Sequence, residues 1–250
     1  MLKAGKAPPG DAMTINLETK VGDLVLAWPQ AMRYLEGQGV DYCCGGHRSL
    51  REACESAGRD AGQVLADLEG LEVPTADTPS PQDWMSASLT DLLAHIEATH
   101  HAYLRTELPR LETLLEKVLG AHGENHPELD EVFDLFQALA GDLMPHLMKE
   151  EQILFPFIRQ MDTGVAAEAC FASVQSPIRV MESEHEAVGA LLVQLRACTD
   201  GYAVPADGCA TFRAFYDGLK ALEADLHLHI YLENQILHPR ARMMEATLQH

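Results

Sequence analysis

Residues 146–156 read HLMKEEQILFP, and residues 229–239 read HIYLENQILHP. The two stretches share the pattern H-x3-E-x-Q-I-L-x-P at an offset of 83 residues. In each copy the histidine and the glutamate are four residues apart, which places them about one turn apart on the same face of a helix. Apolar residues flank both pairs, so this face is expected to point inward. The repeat predicts a duplicated helical hairpin whose halves supply the same polar groups to a common centre.

Four long amphipathic helices are expected around this repeat, at about 87–119, 127–161, 177–198 and 207–246. Glycine and proline interrupt the pattern between them. Short connections between long helices favour an up-down-up-down four-helix bundle, and the expected fold class is all-α. His101 and His185 lie on the first and third of these helices, at an offset of 84 residues, and they extend the repeat.

The chain before the bundle has a different sequence pattern, with shorter apolar stripes. Residues 1–72 are expected to form a small helical domain, which contains a sharp break, DYCCGGH, at 41–47. Residues 73–83 are rich in proline and polar side chains and predict a linker. Residues 84–250 are then the four-helix bundle.

Composition narrows the range of functions. The 250 residues contain 18 Lys or Arg and 38 Asp or Glu, for a net charge of −20. Such a surface repels phosphate backbones and anionic lipids, so neither nucleic acid nor a membrane is an expected partner. There is no apolar run of the ~18 residues that a membrane helix needs, and no apolar segment follows the first lysines as in a secretory signal. Six irregularly spaced cysteines argue against a disulfide framework, and a reducing cytoplasmic location is expected.

The His146/Glu150 and His229/Glu233 pairs indicate a metal site. Two carboxylates near the axis of a bundle would cost several kcal/mol each if they were buried without compensation. A pair of cations removes this cost, because each carboxylate can bridge both ions while imidazoles complete their coordination. Imidazole and carboxylate suit iron, manganese and zinc alike, so the residues themselves leave the metal open.

A ferritin-like site is the competing interpretation of the same residues. Its signature is Glu-x-x-His on two helices with one glutamate on each of two others. Residues 97–100 (EATH) and 182–185 (ESEH) match the first part, and Glu150 and Glu233 would complete it. This alternative leaves most of the bundle's histidines without a role and ignores the repeat.

Three strings link the chain to a known family: DYCCGG at 41–46, MKEEQILFP at 148–156 and MESEH at 181–185. Through them the chain resembles the repair-of-iron-centres proteins (RIC, ScdA/YtfE type) from about residue 15 to 242, across both domains. The resemblance implies a haemerythrin-like bundle with two non-haem irons, carboxylate-bridged and oxo-bridged when oxidised. The ligands that it implies are His101, His122, His146, His185 and His229, with Glu150 and Glu233 as bridges. His126 replaces His122 if the turn at 120–127 is threaded differently.

The cysteine pair has two explanations. Cys43 and Cys44 belong to the family's N-terminal motif, so the resemblance implies a chemical role for their thiols, whereas spacing alone fits packing in a small core equally well. Ser49 and Glu52 predict a capping box at the start of the next helix. Thiols near that helix start, beside basic side chains, are expected to have a lowered pKa. No role is expected for the other four cysteines.

Three further positions carry expectations. Related haemerythrins place a second histidine four residues after the one on the third helix, and Gly189 occupies that position here, which predicts free space for small ligands beside the metal. Pro145 predicts a kink or a new helix start. His238 stands where the other repeat has Phe155, and we expect it to support the site or lie on the surface rather than bind metal.

The resemblance implies a cytoplasmic protein that repairs iron–sulfur clusters damaged by nitrosative or oxidative stress. It would bind or reduce nitric oxide, as an NO-reductase-type oxidoreductase, or donate iron, or do both. The implied partners are NO and O2, damaged iron–sulfur proteins and an electron donor; a homodimer is compatible with the sequence. The first alternative is a haemerythrin-like reversible carrier or sensor of O2 or NO, and the second is the ferritin-like iron oxidase.

Overall fold

The computed structural model describes residues 15–71, 84–164 and 173–248, in a chain that divides into two compact units, Met1–Pro79 and Ser80–His250. Within the described ranges every regular element is a helix, and the only β pairing is an isolated bridge between Lys20 and Ser49. The all-α fold class is confirmed. None of the helices in these ranges is both long and apolar enough to cross a membrane. The predicted linker at 73–83 lies outside the described residues.

Four short helices form the first unit: α1 (Val21–Ala27), α2 (Ala31–Gln38), α3 (Leu50–Ser56) and α4 (Ala61–Glu69). Their small core is apolar, and Leu24, Leu35 and Leu68 are fully buried in it. The predicted capping box at the start of α3 is confirmed. The Ser49 side chain accepts a hydrogen bond from the Glu52 N–H, and the Glu52 carboxylate accepts one from the Ser49 N–H at 2.9 Å.

Four long helices form the second unit, and three of them contain a π-helical segment. The first helix consists of α5 (Leu89–Ile96), π1 (Glu97–His101) and α6 (Ala102–His122). The second consists of α7 (Glu128–Lys149), π2 (Glu150–Leu154) and α8 (Phe155–Asp162). The third is α9 (Gln175–Cys198), and the fourth consists of α10 (Ala210–Tyr231), π3 (Leu232–Leu237) and α11 (His238–Leu248). Pro145 lies inside α7, so a new helix does not start there.

The apolar faces of these helices enclose one core. α6 packs against α7 and α10, α7 packs against α9, and α5 packs against α8 at the other end. Towards the start of α10 the core is aromatic: Phe136 meets Phe215 edge to face, and Phe212 meets Tyr216 in the same way. Large rings in such contacts contribute much of the apolar area that stabilises a bundle. The polar centre described below lies away from them, at the level of the π segments.

A glycine permits the close approach of α10 to α6. A Cβ atom on Gly218 would lie 2.5 Å from Leu111 Cδ2 and 2.8 Å from Arg110 Nη2. Because Leu111 is fully buried, its side chain has no free space into which it could move. We expect Gly218→Ala to destabilise the bundle by about 1–3 kcal/mol, the usual cost of overpacking a core.

The control for this prediction is Gly120→Ala in α6. A Cβ on Gly120 meets no atom of the described chain within 4 Å. Alanine there should raise stability by up to about 1 kcal/mol, because glycine is a poor helix former. Thermal unfolding followed by far-ultraviolet circular dichroism measures both variants. A Gly218→Ala midpoint at or above that of the unmodified protein contradicts the close helix approach.

Candidate metal centre

Six polar side chains meet inside the second unit, and each is at most 2% exposed. They are His101 at the end of π1, His146 in α7, Glu150 at the start of π2, His185 in α9, His229 in α10 and Glu233 in π3. Each of the four long helices therefore contributes at least one of them. All six are residues that the sequence predicts as metal ligands.

The two carboxylates lie between the four imidazoles. Glu150 contacts one histidine from the first helix and one from its own helix, and Glu233 repeats this arrangement in the other half. The carboxylate oxygens lie 3.1–3.3 Å from the Nε2 atoms of His101, His146, His185 and His229. The local spacing explains half of these contacts, because His146 and His229 precede their glutamates by four residues.

The imidazoles also face one another in pairs. His101 Nε2 lies 3.3 Å from His229 Nε2, and His185 Nε2 lies 3.0 Å from His146 Nε2. Each pair forms a group of four with the two glutamates, so that both groups share both carboxylates. Within each group the candidate ligand atoms lie within 4.8 Å of one another. This is the arrangement that two neighbouring cations with shared carboxylates require.

The buried oxygens show why cations fit here. None of the four carboxylate oxygens of Glu150 and Glu233 has a hydrogen-bond partner among the described residues, although ring nitrogens lie close to them. Buried carboxylates in this condition cost several kcal/mol each. Cations between them would satisfy all four oxygens together with the Nε2 lone pairs. Imidazole and carboxylate are ligands that iron accepts.

The charges within the group keep Glu150 ionised. Burial and the charge of Glu233 act to raise the pKa of Glu150, but the charge of His146 and contacts with both of its histidines lower this pKa to about 2. Burial acts to lower the pKa of His146, yet Glu150 raises it to about 9. At His229 burial prevails and the pKa is lowered. Glu150 is thus a carboxylate at neutral pH, the form that binds cations.

Hydrogen bonds on the outer side of the rings orient three of the histidines. His101 Nδ1 donates to Glu151 at 2.8 Å, and His146 Nδ1 donates to Glu184 at 2.8 Å. His185 Nδ1 lies 2.9 Å from the Asn234 side-chain oxygen. A proton held on Nδ1 leaves the Nε2 lone pair facing the centre, which is how proteins orient histidine ligands.

The fourth histidine has a different neighbour. His229 Nδ1 has no hydrogen-bond partner within residues 84–164 and 173–248, and the His100 ring stacks on the His229 ring at 5.3 Å with an interplanar angle of 3°. His100 Nδ1 lies 2.9 Å from Asp225 Oδ1. His100 comes directly before His101, and Glu184 comes directly before His185. His100 is therefore the equivalent of Glu184 in the other half of the repeat.

His238 lies beside the centre. Its ring is fully buried and stacks on that of His185 at 6.1 Å, as Phe155 stacks on His101 at 5.6 Å in the other half. His238 Nδ1 approaches Glu182 to 3.5 Å. This position agrees with the expectation that His238 supports the site.

The ferritin-like interpretation does not fit this geometry. Glu97 pairs with Arg159 at 2.6 Å, and Glu182 pairs with Arg242 at 2.8 Å. Both carboxylates are about one-third exposed. The two additional glutamates of that signature therefore point to arginines at the surface rather than to the centre.

Sequence reasoning missed the three π segments. Each of them contains a predicted ligand: π1 ends at His101, π2 begins at Glu150, and π3 has Glu233 as its second residue. A π turn inserts an extra residue into a helical turn and is frequently found at functional sites. No period in the amino-acid pattern distinguishes such a segment from the surrounding α-helix.

His122 is not brought to the centre, which corrects the seventh predicted ligand. α6 runs without a break for 21 residues from Ala102 to His122, so His122 lies about 30 Å along the helix from His101. His126, the predicted substitute, is equally distant, because it follows in the next turn. The structure groups both histidines with Asp207 instead.

The Cys43 thiol differs from the sequence expectation. Its Sγ lies 3.3 Å from Asp41 Oδ1 and 3.9 Å from Cys44 Sγ. The hydrogen bond with Cys44, burial and the nearby Asp41 charge raise the pKa of Cys43 well above its ordinary value. The expected lowering is wrong for this thiol, because burial and the contacts with Cys44 and Asp41 raise its pKa although α3 begins where it was expected. Cys170 lies outside the described residues.

Asp41 organises the backbone around this pair. Its Oδ1 accepts hydrogen bonds from the Cys43 and Cys44 N–H groups at 3.0 Å, and its Oδ2 accepts one from the Gly45 N–H at 2.8 Å. A Cβ on Gly45 would lie 2.9 Å from Asp41 Oδ2, which explains the first glycine of the motif. Side-chain atoms of Asp41, Cys43 and Cys44 lie close enough together to hold a cation.

Comparisons with known proteins agree with this architecture. Residues 92–241 match the hemerythrin HHE cation binding domain, and residues 17–72 match the ScdA N-terminal domain, a domain of unknown function. The iron-sulfur cluster repair protein YtfE of Enterobacter sp. (strain 638) is 37% identical over 221 residues, which cover 88% of this chain and 95% of the relative. YtfE of Escherichia coli O157:H7 is also 37% identical over the same shares.

The fold and the His/Glu centre define a haemerythrin-like cation-binding bundle, a class for which iron binding is implied. More narrowly, the chain belongs to the family of iron–sulfur cluster repair proteins of the YtfE type. The family resemblance drawn from the three strings is thereby confirmed.

The outer hydrogen bonds give a testable prediction for metal affinity. Removing the Nδ1 acceptors by Glu151→Ala or Glu184→Ala should weaken iron binding about 10–100-fold, since each ring loses its fixed orientation. Competition with a ferrous chelator measures the affinity. The matched control is Glu116→Ala, an exposed glutamate of α6. Equal iron affinity in all three variants would show that these acceptors do not act on the centre.

Proposed function

We propose that the six buried side chains hold two iron ions and that this di-iron centre serves the repair of iron–sulfur clusters. The observation that supports this proposal is the pair of shared carboxylates at the level of the π segments, whose oxygens have no hydrogen-bond partner among the residues that the structure describes. The similarity to the iron-sulfur cluster repair protein YtfE supports the repair role. A cytoplasmic location belongs to the same proposal, since iron–sulfur clusters and reduced thiols coexist in a reducing compartment.

The ligand assignment follows the two groups of four. One ion would be held by His101 and His229, the other by His146 and His185, with Glu150 and Glu233 shared by both. His122 is left out of this set, and His238 remains beside it. Iron held in this way supplies redox chemistry and positions at which a diatomic molecule such as nitric oxide or O2 can bind.

The remaining residues prepare the site for this cargo. Glu151, Glu184 and Asn234 fix three imidazoles with Nε2 facing inward. Buried apolar residues, among them Leu147 and Leu237, keep bulk water away from the carboxylates. A dry, preoriented set of donors strengthens each electrostatic contact relative to water.

The Cys43/Cys44 pair is proposed to hold iron in transit. Its carboxylate neighbour, Asp41, gives a group of one oxygen and two sulfur donors. The Cys43 thiol, whose pKa is raised, stays protonated until an approaching cation displaces its proton, so the group would bind iron reversibly rather than permanently. Thiol-assisted iron donation is therefore favoured here, and NO binding or reduction at the buried centre is the second candidate activity.

The ligand set is tested by iron content. The His146→Ala/His229→Ala double variant should lose most of its iron, because each proposed ion loses one imidazole while the carboxylates stay buried. Metal analysis of the purified protein after chelator washing measures the loss. His47→Ala, at an exposed histidine of the first unit, is the control and should keep the iron content and the optical spectrum of the unmodified protein. An iron content in the double variant equal to that of His47→Ala would refute the six-residue set.

The repair role is tested by anaerobic transfer assays. The ferrous protein is incubated with an apo iron–sulfur protein and inorganic sulfide while cluster formation is followed, and in a separate assay with NO while N2O is measured. Cys43→Ser/Cys44→Ser should keep its iron and transfer it to the apoprotein severalfold more slowly. A reversible carrier or sensor would instead give no cluster, no N2O and no difference between the variants, and that result would sink the repair proposal.

A further inference from the structure

A second group of metal-binding side chains lies at the opposite end of the bundle from the buried centre. His122 ends α6, His126 lies in the following turn, and Asp207 lies in the loop before α10. One ring nitrogen of each histidine and one Asp207 oxygen lie within 4.8 Å of one another. Ligand atoms of a single zinc ion lie about 3–4 Å apart, given bonds of about 2.0–2.2 Å, so small side-chain rotations suffice.

The orientation of His126 is that of a metal ligand with an outer partner. Its Nδ1 lies 2.8 Å from Glu128 Oε1, and its Nε2 lies 3.1 Å from Asp207 Oδ1. A carboxylate on one ring nitrogen and a second potential ligand beside the other reproduce the carboxylate–histidine–metal pattern. The same contacts would also suit a protonated His126 held between two carboxylates, so the experiment must separate these cases.

The surrounding chain fixes the two histidines together. The His126 N–H donates to the His122 carbonyl at 2.9 Å, so the two residues are held one helical turn apart. The Phe212 ring packs against both imidazoles, with centroid distances of 5.3 Å and 5.6 Å. The pair is therefore held by the backbone and by a buried aromatic ring, and it does not depend on a mobile surface side chain.

Both turns that carry this group require glycine. A Cβ on Gly123 would lie 2.7 Å from the Leu119 carbonyl oxygen, and a Cβ on Gly208 would lie 2.9 Å from the Pro205 carbonyl oxygen. Because backbone atoms cannot move aside cheaply, other residues would change the course of each turn. The two turns thus bring His126 and Asp207 together through local backbone geometry.

We propose that His122, His126 and Asp207 bind one divalent transition-metal ion, for which zinc is the probe, separately from the buried centre. Two imidazoles and a carboxylate suit zinc and ferrous iron. The exposed Cys209 thiol interacts with the His122 ring and is a further potential donor. The inference is independent of the proposed repair function, since the two groups lie about 30 Å apart along α6.

Zinc titration of the full-length, iron-loaded protein tests the proposal. The Cys43→Ser/Cys44→Ser form is used throughout, because the Asp41 group is another possible zinc site. We expect one zinc per chain by calorimetry and metal analysis, with the iron content unchanged. His126→Gln should weaken zinc binding by more than about 100-fold, and Glu128→Gln, which removes only the outer carboxylate, by about 10–100-fold.

Two further variants complete the test. Asp207→Asn replaces an exposed carboxylate by an amide of the same size, so it is not expected to disturb the fold. It therefore tests zinc binding even if His126→Gln is misfolded. Circular dichroism checks the fold of both variants. His47→Gln, an exposed histidine of the first unit, should leave zinc binding unchanged. The proposal is overturned if no zinc binds, if zinc enters only as iron leaves, or if Asp207→Asn binds zinc as tightly as the parent.

Discussion

The constraint on which the bundle's chemistry depends is a pair of buried carboxylates that have no hydrogen-bond partner in the described part of the chain. Glu150 and Glu233 are fully buried inside the bundle, among four buried histidines and a surrounding apolar core. Two negative charges at this depth are tolerable only with compensating positive charge, from imidazolium groups or from cations. The histidines, their outer acceptors and the π segments all lie at the level of these two carboxylates. The departures from regular α-helix are therefore found where two negative charges are buried.

In the two halves of the bundle, equivalent positions beside the histidines are occupied by different residues. Glu151 and Asn234 are equivalents that hold His101 and His185, one through a carboxylate and the other through an amide. Glu184 holds His146, whereas its equivalent, His100, only stacks on its neighbour His229. Each proposed iron position thus has one histidine with a carboxylate partner, and the two positions differ in the other histidine. His185 has an amide partner and His229 a stacked ring, so the two positions are chemically unequal despite the repeat that relates them.

The sequence predicts the centre well where local geometry determines it. A four-residue spacing on a helix places His146 beside Glu150 whatever the rest of the chain does, and the repeat extends the argument to the other half. Whether His122 reaches the centre depends on where α6 ends, and residue spacing alone does not determine that. The raised pKa of Cys43 depends on burial and on Asp41 folding back onto the pair. The π segments cannot be read from the hydrophobic period, because a single wide turn differs from the surrounding α-helix by only one residue.

The position of the centre within the core bears on how iron could be released. The aromatic contacts of Phe136, Phe212, Phe215 and Tyr216 lie towards the other end and involve none of the six polar side chains. Loss of cations would leave carboxylates uncompensated at one end, while the apolar area that stabilises the fold stays buried at the other. Local loosening around the centre would then cost less than global unfolding. A protein that donates iron needs this separation, because it must remain folded after its cargo has left.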